Sequence, residues 1–393
     1  MQLGWIDYSK DERNKITSIL RLLGTQTALD ELGIGTVRDG FSDLLFPGIS
    51  TIQTRAKYFV LIPYLYTDAE KHKFNRYSEV RTWISKQEER LIKTLVENSG
   101  KDEDGIIGSR TYKQGKTLKI KPSSIYWNGL RRTGILRQSE FSIDNACEIA
   151  FVHSKKRSEI SLKAEGDNES GDDRDVLNDG LVLFSPILPD YDYMSESTIE
   201  LTQYEAIYLL EHFIQSEGTE KSLMAYMLSH HLLFDNFFGV DTDVLPERLR
   251  YIVSLAQDFA SFIYGAHILY NVIYSEGSDA EMTEVFSEWK DKEYRAVNLD
   301  AIITVSSCPR HTGDFLRRFD HCINSDDIEA AKQAVIDREK YIKRDRAKLC
   351  KPDQYRYETP IHYYKLDYRY STAATIMTDI YEGLGEYYGA SDV

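Results

Sequence analysis

The chain has 393 residues, with 63 Asp/Glu against 48 Lys/Arg for a formal net charge of -15, and 42% of it is hydrophobic. That length allows two or three domains with full cores, and the apolar content, with 27 tyrosines, excludes a disordered chain. Four cysteines without a CxxC pair, and a start that lacks the basic-then-apolar layout of a secretory signal, point to a reducing cytoplasm.

Ser9-Lys-Asp-Glu12 is a capping box, and Ile16, Ile19, Leu20 and Leu23 follow at helical spacing, so a helix is expected over 10–23. Thr36 caps a second helix with Val37, Phe41, Leu44 and Leu45 on its inner side, stopped by Phe46-Pro-Gly48. A third runs from Ile52 through Tyr66, aromatic throughout, with Pro63 as a kink or stop. Residues 77–98 form a long charged helix whose buried side is Val80, Trp83, Ile84, Leu91 and Leu95.

After a loop at Ser99 to Gly105 the charge changes character. Gly105 to Ser139 contains no carboxylate yet carries Arg110, Lys113, Lys116, Lys119, Lys121, Arg131, Arg132 and Arg137. Inside it, Lys121-Pro-Ser-Ser-Ile-Tyr-Trp-Asn-Gly-Leu-Arg-Arg-Thr-Gly134 reads as one short helix, with proline in the first turn and glycine past the end. Tyr126, Leu130 and Thr133 share its apolar back, with Trp127 at the margin, while Lys121, Ser124, Asn128, Arg131 and Arg132 fall on the opposite front. Such a helix suits a nucleic-acid groove: Arg131 and Arg132 for guanine or phosphate, Asn128 for adenine, and Lys113, Lys116 and Lys119 for the backbone. The Gly-Ile-Leu-Arg that follows reads as a wing strand. A short helix at about 143–152 closes the first domain.

From His153 to Gly180 there is almost nothing to bury, which reads as an exposed acidic loop or linker. Beyond it, Leu181 to Ser185 is a candidate strand. Thr202-Gln-Tyr-Glu205 is a capping box opening a helix through about Ser216, and Ser222 to Leu233 makes the next. Leu245 to Gly277 is the longest apolar helical pattern, read as one helix or as two broken near Gly265, and its run Phe259 to Tyr274 is a buried helix rather than a bilayer span. Helices are expected at 280–292, 312–323 and 326–349, a strand from Ile361 to Tyr370, and a closing helix from Ser371 to Gly383. Charge divides unevenly: residues 1–160 hold 26 Lys/Arg against 20 Asp/Glu, and residues 161–393 hold 22 against 43. An acidic half confines nucleic acid to the basic half or meets a basic partner protein.

Catalytic signatures are scarce. There is no P-loop, dinucleotide fingerprint, nucleophile elbow or HExxH. Cys308, His311, His321 and Cys322 gather metal-ligand types, but neighbours on a helix point about 100° apart, so His321 and Cys322 do not suit one ion. His230-His231 near Asp235 offers an acid-base pair, and Glu288-Trp-Lys290 is half of a nuclease core placed on a helix instead of a strand. No metal or cofactor is expected.

The words Leu3-Gly-Trp-Ile-Asp-Tyr-Ser9, Asp30-Glu-Leu-Gly-Ile-Gly35, Arg38-Asp39, Leu45 to Tyr58, and Ile125-Tyr-Trp-Asn-Gly-Leu130 resemble an uncharacterised bacterial family, a domain of unknown function. The resemblance implies a prokaryotic cytoplasmic protein and suggests genes in anti-phage defence islands beside helicases and nucleases. It supplies no catalytic residues. Asp30, Arg38, Asp39 and Arg55 are candidates for an ion-pair network fixing the first helices.

The expected architecture is mainly α, multi-helical, with a small winged-helix-like β component and a few short strands. Residues 1–153 form an N-terminal helical domain holding the basic module at about 105–139, 154–180 the acidic linker or loop, and 181–393 an acidic C-terminal helical domain. The expected function is that of a non-enzymatic, double-stranded-DNA-associated subunit of an anti-phage defence complex, with a helicase or nuclease as partner and no membrane. Its nucleic-acid contacts are Lys113, Lys116, Lys119, Lys121, Ser124, Asn128, Arg131, Arg132 and Arg137. The alternatives are an unrecognised metal-dependent nuclease and a protein-only scaffold or adaptor.

Overall fold

The computed structural model describes residues 30–100, 104–164, 182–361 and 363–385. The helix expected over 10–23 and the words from Leu3 to Ser9 lie outside the described residues. In chain order the α-helices are α1 (Gly35–Leu45), α2 (Tyr58–Lys71), α3 (Tyr77–Asn98), α4 (Ser109–Lys113), α5 (Pro122–Arg132), α6 (Ile143–Ala164) and α7 (Tyr193–Glu196). Then come α8 (Gln203–Gln215), α9 (Leu223–Ser229), α10 (Glu247–Tyr274), α11 (Ala280–Glu288), α12 (Leu299–Val305), α13 (Arg310–Asn324), α14 (Ile328–Lys343) and α15 (Tyr370–Gly383). The described residues contain no strand, so the fold is mainly α, and the expected winged-helix component and short strands are corrected.

Packing divides the chain into two units. One, the basic-helix unit, is Asp43–Gly239 with Arg369–Val393; the other, the long-helix unit, is Met1–Ser42 with Val240–Tyr368. Residues 182–239 therefore share a unit with the helices that precede them in sequence.

The basic-helix unit is built around α2. Every residue from Tyr58 to Tyr66 is buried, which is what a helix apolar on all sides requires. It packs against α3, α5 and α6, and α8 packs on α9 and α15. The sequence pattern placed the start of this helix at Ile52, but side chains take the backbone groups before it. Gln53 Nε2 donates to the Gly48 carbonyl (3.0 Å), and Tyr126 Oη accepts from the Thr54 and Arg55 amides (2.8 and 3.1 Å). Asp379 Oδ2 accepts from the Ala56 amide (2.7 Å), so the helix begins only at Tyr58. Pro63 lies inside the helix, buried and not a stop. The α6 helix runs on through Ala164, making residues 154–164 of the expected linker helical. The wing is a single bridge between Leu136 and Phe184, with Arg137 N donating to Leu183 O (3.0 Å) and Ser185 N to Ile135 O (2.7 Å). The expected strand at Leu181 to Ser185 reduces to that contact.

In the long-helix unit, α10 is buried from Leu249 to Val272 along most of its faces and packs against α11, α12 and α14. It is long and apolar enough to cross a membrane by length and composition, but 72% of that window is buried inside the chain. The helix does not divide at Gly265. A Cβ there would lie 2.1 Å from Trp289 Cζ2, and the indole Nε1 donates to Ser261 O (2.8 Å), so the glycine is an indole seat in a continuous helix. The strand expected from Ile361 to Tyr370 does not form. Asn271 captures both the amide and the carbonyl of Ile361 (2.6 and 2.7 Å), and Tyr368 and Arg369 have φ of 53° and 72°, outside extended geometry.

Candidate functional site

The basic module is built on α5. Pro122 stands at its first position, and the carboxylate of the buried Glu88 on α3 accepts from the Ser123 amide (2.9 Å), satisfying an orphan donor at the positive end of the helix. Burial pushes the Glu88 carboxyl up, and the hydrogen bonds from Ser123 oppose that. Tyr126, Leu130 and Thr133 are fully buried, and Trp127 lies beside them with its Nε1 donating to Phe141 O (2.8 Å). The predicted apolar back is therefore the packed face. Gly134, at φ +68°, turns the chain away after Arg132.

The front is narrower than the residue types suggested. Ser124, Asn128 and Arg132 are exposed at successive i+4 positions, one stripe along the helix. Lys121 is tied to Glu89 on α3 (Nζ–Oε1 2.5 Å), which removes much of its charge from the surface. Arg131 is half-buried: one terminal nitrogen reaches Phe141 O (3.4 Å), and its Nε is buried without a hydrogen-bond partner. Lys113 ends α4, and Lys116 and Lys119 lie on the loop that follows, all three exposed. Leu118 between them lies at the Gly108 turn beside Ile92, which pins the loop to α3. Arg110 and Arg137 are exposed as well. The structure thus groups Ser124, Asn128 and Arg132, places Lys113, Lys116 and Lys119 on α4 and its loop, and turns Lys121 and Arg131 toward the protein.

The other sequence candidates have structural partners. His230 stacks on Tyr226 (4.0 Å between centroids), and His231 is left-handed at φ 54°. Glu288 pairs with Lys292 (2.7 Å) and Lys290 with Asp326, so the two halves of the nuclease-like pair point to different partners. Among the described residues no group of three or more His, Cys, Asp or Glu side chains is gathered for a metal ion. Asp30 accepts from the Gly35 amide, Arg38 pairs with Asp39 (3.1 Å), and Arg55 pairs with Asp379 (2.8 Å).

Sequence reasoning missed the buried charges. Lys57 and Glu205, 1% and 0% exposed, form an ion pair at 2.6 Å. Lys57 also donates to Glu200 O (2.9 Å), and Tyr191 and Tyr64 donate to Glu205 (2.9 and 3.3 Å). Asp379 is held by Arg55 and the Ala56 amide, yet burial still raises its pKa to about 6. Glu205 was visible only as the acidic member of a capping box, and nothing local marks Lys57 or Asp379.

No curated protein and no solved structure matches the chain. Residues 1–301 match a family of unknown function (DUF6361), and the chain belongs to that family.

Proposed function

We propose that the chain is a DNA-associated subunit of a multi-protein complex and contacts duplex through the basic-helix unit. One observation carries the reading. Of the eight cations between Gly105 and Ser139, a stretch without a carboxylate, six are exposed: Arg110, Lys113, Lys116, Lys119, Arg132 and Arg137. Helix faces with arginine are common, but a carboxylate-free segment in a chain of net charge -15 has no negative charge of its own to offset its cations. Asn128 and Ser124, on the stripe with Arg132, supply hydrogen-bonding groups for base edges or sugar, and the lysines supply phosphate contacts. The acidic remainder repels phosphate and leaves its surface to proteins.

The test is binding of the full chain to a fluorescent duplex across a salt series. Neutralising about five phosphates gives a slope of log K against log salt near -4 to -5. The Lys116→Glu/Lys119→Glu/Arg132→Glu variant reverses exposed charges and should flatten that slope by about 3. No binding at low salt, or an unchanged slope in the folded variant, overturns the reading.

A further inference from the structure

The long-helix unit holds a second reversal of sign. Where α14 ends, a broad hollow of about 840 Å³, open to solvent, is lined by Lys340, Tyr341, Arg344 and Arg346 together with His311 and Asp345. Lys340, Arg344 and Arg346 are exposed, and among the described residues they make no ion pair, with Asp345 the one carboxylate on the lining. Lys343 turns inward onto Glu31 and contributes little to the surface. Residues 161–393 carry 43 acidic against 22 basic residues, so this concentration of cations runs against its surroundings.

Two of the lining residues, His311 and Tyr341, lie against a buried arginine. Arg338, 4% exposed, donates to Leu32 O (2.7 Å), Gly33 O (3.0 Å), Thr312 Oγ1 (2.9 Å) and His311 O (3.1 Å). That fixed guanidinium lies 5.3 Å from the Phe315 ring and 5.9 Å from the Tyr341 ring, and the His311 ring is 5.3 Å from Tyr341. Tyr341 is therefore positioned by the Arg338 guanidinium and the His311 ring while 60% of it remains in solvent. The chain leaves α14 through Arg344 at φ 52°, ψ -119°, a strained conformation for a residue that carries a side chain. Glycine would fit that position without strain, yet an arginine occupies it, at the rim.

We propose that this hollow binds single-stranded nucleic acid, with a base stacked on Tyr341 and neighbouring phosphates on Lys340, Arg344 and Arg346. A positioned, exposed aromatic flanked by cations serves a strand whose bases are free to stack, and a duplex has no base face to offer. A free nucleotide would be enclosed by a deeper pocket, since small ligands bury most of their surface. The site goes beyond the duplex reading: it lies in the other unit, uses other residues and stands if that reading fails.

The experiment is fluorescence anisotropy of the full chain with a labelled oligothymidylate and with an abasic oligomer of the same length. Saturable binding to the oligothymidylate, weaker for the abasic strand, is expected. Tyr341→Ala should weaken it about ten- to hundredfold. Arg344→Gly removes charge while relieving strain, so it should weaken binding and flatten the salt dependence while thermal stability holds or rises. The second variant keeps the test clear of misfolding. Absence of saturable binding, equal affinity for the abasic strand, or unchanged affinity in both variants overturns the proposal. Charge reversal at Lys116 and Lys119 separates the two sites, because it acts on duplex and not on this strand.

Discussion

Replacing Lys57 by methionine tests what holds the basic-helix unit together. The ammonium is 1% exposed, and its removal leaves the Glu205 carboxylate, 0% exposed, without its counter-charge. Breaking a buried pair from one side costs ~3–5 kcal/mol, because the remaining ion keeps its desolvation penalty and loses its partner. Glu205 retains donors from Tyr191, Tyr64 and the Thr202 amide, which places the cost at the lower end, ~3 kcal/mol. For a unit of this size that is a fall in Tm on the order of 10 °C. The Lys57→Met/Glu205→Gln double variant removes both charges and preserves volume, so it should recover most of the loss. Urea unfolding at neutral pH, followed through Trp83 and Trp127, reads the cycle. A single variant within ~1 kcal/mol of the parent, or a double variant no better than the single, refutes the reasoning.

Two further outcomes bear on packing and on charge. Gly265→Ala should destabilise by ~1–3 kcal/mol or more, because the new methyl meets the Trp289 ring; if Gly265 were a mere helix weakness, alanine would stabilise by ~1 kcal/mol, so calorimetry decides by sign. The raised pKa of Asp379, about 6 in the folded chain against 3.8, means the native state holds the proton more tightly. Its contribution is fully present below the unfolded pKa and is lost as pH rises through about 6. The stability advantage of the parent over Asp379→Asn should therefore shrink between pH 4 and pH 6. An advantage that grows with pH in urea titrations would show that the Arg55 pair outweighs burial.

What could be read from the sequence was local. The box Thr202 to Glu205, the proline and glycine that bracket α5, and the bounds of α3 at Tyr77 and Asn98 are decided by residues close together in the chain. Errors arose where a distant group intervened. Tyr126 and Asp379 hold residues 54–56 out of a helix, Trp289 makes Gly265 a contact instead of a break, and Asn271 occupies the backbone of Ile361 where a strand was expected. The basic front shows the same division: residue type put Arg131 and Lys121 beside Arg132, but Phe141 and Glu89, from other elements, draw both inward. Periodicity assigns a face, and only tertiary partners decide which of its charges reach solvent.

Among the described residues, several of the words that made the family recognisable serve the fold. Leu32 and Gly33 are gripped by Arg338, while Gln53, Arg55 and Lys57 are spent on Gly48, Asp379 and Glu205. A buried group whose hydrogen-bonding capacity is already satisfied has little left for a ligand, so the distinctive turns are poor places to look for activity. Exposed cations gather elsewhere, at Arg110, Lys113, Lys116, Lys119, Arg132 and Arg137, and at Lys340, Arg344 and Arg346. The first set lies inside residues 1–301 and the second beyond them. Loss of duplex binding on reversing Lys116, Lys119 and Arg132 would therefore speak for the matched stretch. Loss of strand binding at Tyr341 would concern the part of the chain outside it, even though Arg338, which positions that ring, also anchors the matched turn.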